Sequence, residues 1–404
     1  MDKKIFNLKN NIEVLYKRNK NTPRVALCFN FSLNDPVPNP GDYSLMTRLF
    51  MQGTKNRSAE QLAEELDRYA IEFSSELKLD YLKLKFVCLN EDFDKALEIF
   101  EDIIKNSTFE DFDKEKIKLI GEIQAQLDSP RARVVDNFYK NLYTNHHYGY
   151  TNTVILENLP NVKREHVLRG YKTFMENSKK VIAFVGDLDF EEVSAKLNER
   201  FGDLSPSIIE LPAIKPPVLT ESKNLEIIKP DANQAHIIQG WLVNTANTED
   251  YPVLALMNII LGASGLSSRL FLELRDKKGL AYVVRSSYDV ARLCANFSIY
   301  IATEPKNIEV SLKGFKEEID KIKNELVSEE ELNNAKNNII GKWAFSQEDN
   351  NQQAATFAHY AITGLGFDFN EKAKKMIQSV TPEQIKVCAN KYFNDRFVVS
   401  IIKP

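Results

Sequence analysis

The sequence predicts an α+β protein made of two homologous units of about 200 residues, each a mainly antiparallel sheet layered with helices. Three observations carry that expectation. The first is an internal repeat. Val87-Cys88-Leu89-Asn90-Glu91 with the amphipathic stretch after it returns as Tyr300-Ile301-Ala302-Thr303-Glu304 with another. Lys118-Leu119-Ile120-Gly121 returns as Asn338-Ile339-Ile340-Gly341, and Val162 to Phe184 returns as Val380 to Ile401. The offsets run from 213 to 220 residues in a chain of 404, so the repeat spans half of it. The second observation is a proline-rich stretch between the copies, Ser205 to Asn224, holding Pro206, Pro212, Pro216 and Pro217. Proline lacks an amide donor and biases its predecessor to extended geometry, so this stretch reads as a semi-rigid linker between units at 1–210 and 211–404. The third is the alternation of strand-like and helix-like periodicities within each copy.

In chain order, Ile5 to Tyr16 alternates as a strand does, with no apolar signal block before it. That predicts a cytoplasmic protein, or a periplasmic one from which a signal peptide was trimmed. Ser58 with Gln61 reads as a capping box opening a helix whose core positions are Leu62, Leu66 and Tyr69. Leu82, Leu84, Phe86 and Cys88 alternate with Tyr81, Lys83, Lys85 and Val87, a strand with one buried face and helices expected on that face alone. Phe93, Leu97, Phe100 and Ile104 recur at helical spacing. A helix ending near Asn177 and a strand over Val181-Ile182-Ala183-Phe184 follow, and Ser328 with Glu331 repeats the helix start in the second copy.

Composition narrows the function. With 53 basic and 57 acidic residues the formal net charge is −4, which gives no electrostatic case for a nucleic-acid partner. No apolar run is long enough to span a bilayer. Cys28, Cys88, Cys294 and Cys388 are far apart and form no C-x-x-C pair, so neither a zinc knuckle nor a disulfide framework is expected. Of the five histidines, His146, His147, His166, His236 and His359, none lies three or four residues from another, so no helix presents two imidazoles to one metal. His146 and His147 are adjacent and are expected to point apart.

Residues 41–54 read Gly41-Asp42-Tyr43-Ser44-Leu45-Met46-Thr47-Arg48-Leu49-Phe50-Met51-Gln52-Gly53-Thr54, followed by Asn56-Arg57-Ser58-Ala59-Glu60-Gln61. With Glu122-Ile123, Asp128-Ser129-Pro130, His147-Tyr148-Gly149 and Val185-Gly186-Asp187, this chain resembles the pitrilysin/insulinase family of inverted zinc metallopeptidases along its whole length. In active members of that family the helix before G-T carries H-x-x-E-H. Its two histidines and a downstream glutamate bind zinc, and its own glutamate is the general base. Counting back from Gly53-Thr54, the resemblance puts Ser44 and Arg48 at the histidine positions and Thr47 at the base, with Glu122 kept as the downstream glutamate. Serine and arginine cannot replace two imidazoles, so no metal and no catalytic residue is expected in this chain. Glu122, without zinc, is expected to need a cation, and Arg48 is the candidate.

The second half carries Leu274-Arg275-Asp276-Lys277-Lys278-Gly279-Leu280-Ala281-Tyr282. It reads as a short helix stopped by Gly279 and a strand opening at Tyr282, preceded by a short glycine turn at Gly262 and Gly265. Seven residues apart across a glycine, Arg275 and Tyr282 can converge. Singly, Arg275 reads as a helix-end charge and Tyr282 as a strand aromatic. The complete motif matches the family's arginine–tyrosine pair, whose donors act on the substrate near the scissile peptide. The resemblance therefore implies the non-catalytic, substrate-binding subunit of a heterodimeric zinc metalloendopeptidase, of the bacterial two-subunit kind. Zinc would sit on a homologous H-x-x-E-H partner, and peptide would be the substrate. The rival expectations are a scaffold subunit like the respiratory core proteins, and a stand-alone peptide binder.

Overall fold

The structure, a computed structural model, describes residues 3–34, 39–208, 210–211 and 213–404. Pro212 of the expected linker lies outside them. It contains two sheets in two compact units.

The first sheet has six strands: β1 (Lys3–Asn7), β2 (Glu13–Arg18), β3 (Arg24–Ser32), β4 (Glu72–Leu77), β5 (Tyr81–Leu89) and β6 (Lys180–Gly186). Their order is β1-β2-β6-β3-β5-β4, with only β2 and β6 parallel. The second sheet has β7 (Lys223–Ile228), β8 (Ala235–Val243), β9 (Ala281–Val290), β10 (Ala295–Thr303) and β11 (Val398–Lys403). Their order is β7-β11-β8-β10-β9, again with one parallel pair, β7 and β11. Set β2 against β7 and the remaining strands follow in step, so the sequence repeat is a repeat of topology. Both sheets are therefore mainly antiparallel and helix-layered, as the periodicities predict.

The local expectations hold where short-range chemistry decides. Ser58 caps the Ala59–Arg68 helix in a reciprocal box with Gln61, and Leu62 and Leu66 are buried, whereas Tyr69, expected as a third core position, is the half-buried C-cap. The Phe93–Asn106 helix buries Phe93, Leu97, Phe100 and Ile104. Phe100 meets Phe86 of β5 with ring centroids 5.0 Å apart, and Phe93 meets Phe184 of β6 at 5.4 Å.

The expectation of helices on one face is corrected. Tyr81 and Val87, on the second face of β5, are buried with Ala26 and Cys28 of β3 and with Val181, Ala183 and Val185 of β6. The Asn350–Ile362 helix covers them, contributing Ala354, Phe357, Ala358 and Ala361. In the second sheet, the Pro130–Leu142 helix covers the equivalent face with Val134, Phe138 and Leu142 against Ile238, Tyr300, Val398 and Ile402. Consequently the compact units are not the contiguous stretches 1–210 and 211–404. Residues 122–155 fold with the second sheet and residues 345–369 with the first. The cause is burial: β3 and β10 are buried along both sides, and a sheet buried on both faces needs a layer on each.

His359 lies in such a layer. His359 Nδ1 is 3.0 Å from the Tyr81 hydroxyl. Burial first, and then the charges of Lys78 and Lys83, push its pKa down to about 4. The folded state keeps His359 neutral where the unfolded chain protonates it, near 6.5. Stability is thus retained above about pH 6.5 and lost as pH falls from there towards 4, by on the order of 2–3 kcal/mol at the lower end. Urea unfolding between pH 7 and 4.5 should display this slope in the native chain and a flatter one in His359→Gln. An equal slope in both would show that other groups govern the acid limb.

Candidate functional site

The Asp42–Leu49 helix carries Ser44, Thr47 and Arg48. The Thr47 hydroxyl donates to the Ser44 carbonyl at 2.8 Å, a local bond within the helix. Arg48 Nε donates to Glu115 Oε2 at 3.2 Å, and the Glu115 side chain is only 4% exposed. Lys118 Nζ reaches the other oxygen of Glu115 at 2.6 Å. Glu122 stands on the same Phe112–Leu127 helix as Glu115, two turns further on. Sequence reading singled out Glu122 and missed Glu115. The available signal was their spacing of seven on one helix, which places both on the same side.

The turn after this helix is held by Asp102. Its carboxylate accepts from Thr54 Oγ1 at 2.7 Å, Asn56 Nδ2 at 2.6 Å and Arg57 Nη1 at 2.7 Å. The G-T and N-R-S residues thus have a structural role in anchoring this corner.

The donor set around Ser44, Thr47 and Arg48 does not suit zinc. A guanidinium is a permanent cation, and neutral hydroxyls are poor ligands beside it. Among the described residues no three His, Cys, Asp or Glu side chains stand together to hold a metal. Contrary to expectation, His146 and His147 do not point apart: their rings lie 4.3 Å apart at 30°. The reason is the tight His147–Gly149 turn, which the His146 side chain caps by accepting from Tyr148 N. All four cysteines are buried, and burial pushes Cys28, Cys88 and Cys388 up to about 12, so these three are protonated at neutral pH.

Removing Arg48 leaves buried Glu115 with Lys118 alone. Arg48→Ala should therefore lower stability by about 1–3 kcal/mol, less than for a buried pair with no second cation. Differential scanning calorimetry reads this, and an unchanged transition would mean that the Arg48–Glu115 pair is energetically idle.

In the second unit, the Phe271–Lys277 segment is wider than the predicted short helix: it is a π turn, with Leu274 buried at its centre. Gly279, at φ +61, ends it; its N–H returns to the Arg275 carbonyl and that of Leu280 to the Leu274 carbonyl. Gly262 is not part of a turn. It lies in the Ile259–Ala263 helical segment, where a Cβ would meet the backbone nitrogen of Ser286 at 2.2 Å, so it lets that segment pack directly on β9. Gly265, at φ +77, makes the turn.

These features bring Arg275 to Tyr282. Arg275 Nη1 donates to the Tyr282 backbone carbonyl at 2.7 Å. The guanidinium carbon lies 4.7 Å from the centre of the Tyr282 ring and 4.6 Å from that of Phe271. Tyr282 is 77% exposed at the start of β9. Among the described residues its hydroxyl has no partner, and the guanidinium has no carboxylate in ion-pair range. Two sets of donors therefore face solvent from one corner, able to bind a carbonyl oxygen or an oxyanion.

Comparison with known proteins gives the class. A protease from Helicobacter pylori superposes with a TM-score of 0.91 at 20% identity, covering 100% of this chain and 99% of that one. The peptidase M16 inactive domain from Pseudomonas fluorescens superposes with a TM-score of 0.90 at 22% identity, covering 100% and 98%. A chain of complex III from Candida albicans shares the fold, with a TM-score of 0.83 at 14% identity over 99% and 95%. An uncharacterized zinc protease of Rickettsia bellii is 26% identical over 99% of this chain and 97% of its own length. One of Bacillus subtilis is 24% identical over 99% and 98%. The fold is that of the peptidase M16 inactive domain. Residues 13–153 match the insulinase (peptidase family M16) profile and residues 161–339 the peptidase M16 inactive domain, and the chain belongs to family M16. Among the described residues no helix is long and apolar enough to cross a membrane.

Proposed function

We propose that this chain is the non-catalytic, substrate-binding subunit of a heterodimeric zinc metalloendopeptidase acting on peptides or unfolded segments. Its partner is a homologous subunit bearing H-x-x-E-H, whose zinc and glutamate activate water. The observation that carries this reading is the convergence of Arg275 and Tyr282 at one corner, with donors left over to face solvent. A guanidinium fork and a phenol O–H both donate towards carbonyl oxygen. They hold an extended peptide and stabilise charge developing on the scissile carbonyl. The non-catalytic part of the reading is supported by Ser44, Thr47 and Arg48, which cannot hold zinc or activate water, and by the engagement of Arg48 with Glu115.

Reconstitution tests it. Purified alone, the chain should carry no stoichiometric zinc and cleave no peptide. Mixed with its zinc-bearing relative it should yield activity that neither subunit has. Stoichiometric zinc held by the isolated chain, or cleavage by it, would refute the proposal. Activity indifferent to both Arg275 and Tyr282 would instead assign a scaffold role, and capture of intact peptide without any partner a stand-alone binding role.

A further inference from the structure

We propose that the second sheet carries a separate subsite for the carboxylate of a bound peptide, formed by Arg131, His236, Arg285 and Tyr300. The inference rests on the peptide-binding reading above and names a chemical feature of the substrate. Arg285 of β9 and Tyr300 of β10 are directly paired across the sheet, and so share one face. Tyr300 is also paired with Ile238 of β8, which puts His236, two residues earlier, on that face too. Arg131 comes from the first turn of the Pro130–Leu142 helix, the layer over this face.

These groups meet at the Tyr300 ring. The guanidinium carbons of Arg131 and Arg285 each lie 5.7 Å from its centre, and His236 Nδ1 is 2.7 Å from its hydroxyl. Tyr300 is buried, while both arginines are exposed. Among the described residues no carboxylate lies in ion-pair range of either arginine. Asp289, the acid on the same face of β9, accepts from the Tyr139 hydroxyl at 2.8 Å. Burial first, and then Arg131, lower the pKa of His236, so the positive charge here belongs to the guanidiniums and the imidazole is neutral.

Two like charges held against one ring, with no acid beside them, leave a positive field that an incoming anion relieves. The donors are planar forks, which match the two oxygens of a carboxylate. In a peptide that group is either the C-terminus or an aspartate or glutamate side chain.

The test is calorimetric titration of the full chain with one unlabelled ten-residue peptide in matched forms: free against amidated C-terminus, and an internal aspartate against asparagine. The arm in which charge matters identifies the source. The charged form should bind about tenfold tighter than its neutral twin. In the Arg131→Gln/Arg285→Gln variant the ratio should fall to near one, with the neutral form bound as before. Arg275→Ala should weaken both forms equally. A charge preference that is absent, or that survives the double substitution, overturns the subsite; the peptide-binding reading then still stands if Arg275→Ala weakens binding. Should no peptide bind, N-acetylalanine decides, followed at the His236 imidazole resonances. A shift in the native chain that is missing from the double variant and with the methylamide supports the subsite, and no shift overturns it.

Discussion

Arg275→Ala and Tyr282→Phe should each lower the peptidase activity of the reconstituted pair by about 100-fold, the scale of losing one oxyanion donor. Tyr282→Phe keeps the ring beneath the guanidinium and removes only the hydroxyl, which has no partner among the described residues. Any loss therefore reports on substrate rather than on folding. Arg275→Ala also removes the bond to the Tyr282 carbonyl, an exposed contact worth about 1 kcal/mol, so the melting temperature should move little. Arg275→Lys separates charge from geometry. A lysine keeps the cation without the planar fork, and should recover only part of the loss. The fall should appear in kcat as well as in kcat/KM, because the donors act most strongly on the charged transition state. Wild-type turnover in both variants would remove this corner from the mechanism.

Phe138→Ala should cost about 3–5 kcal/mol, the scale of emptying a fully buried phenylalanine site. Phe138 is fully buried in the Pro130–Leu142 helix among Val134, Leu142, Ile238, Tyr300 and Val398. That helix covers its face of the second sheet, so a cavity there loosens the helix as well as the core. Asn137 Nδ2 adds a 2.9 Å bond to Ser400 Oγ of β11, which cannot hold the helix alone. Amide exchange over residues 130–142 should accelerate together with that of β8 and β11. A loss below 1 kcal/mol would mean that the site collapses around the missing ring.

These two predictions differ in how far the sequence led to them. The arginine–tyrosine corner was legible, because its parts lie seven residues apart and a glycine turn with one fixed backbone conformation joins them. What escaped was the width of the π turn, since a five-residue hydrogen-bond step leaves no distinct pattern in so short a segment. The Asp42–Leu49 helix was read correctly as an element, yet its arginine's buried partner, Glu115, is 67 residues away, on a helix whose facing depends on packing.

By itself the sequence determined the repeated strand and helix order, the caps and the corner that joins Arg275 to Tyr282. All of these depend on periodicity, turn chemistry or residue type, which act over a few positions. Only the tertiary structure decided that residues 345–369 cover the first sheet and residues 122–155 the second, and that Arg131, Arg285 and His236 gather at Tyr300. Those choices follow from burying the second face of each sheet. Apolar burial is non-directional, so it demands a covering layer without naming which distant segment will supply it.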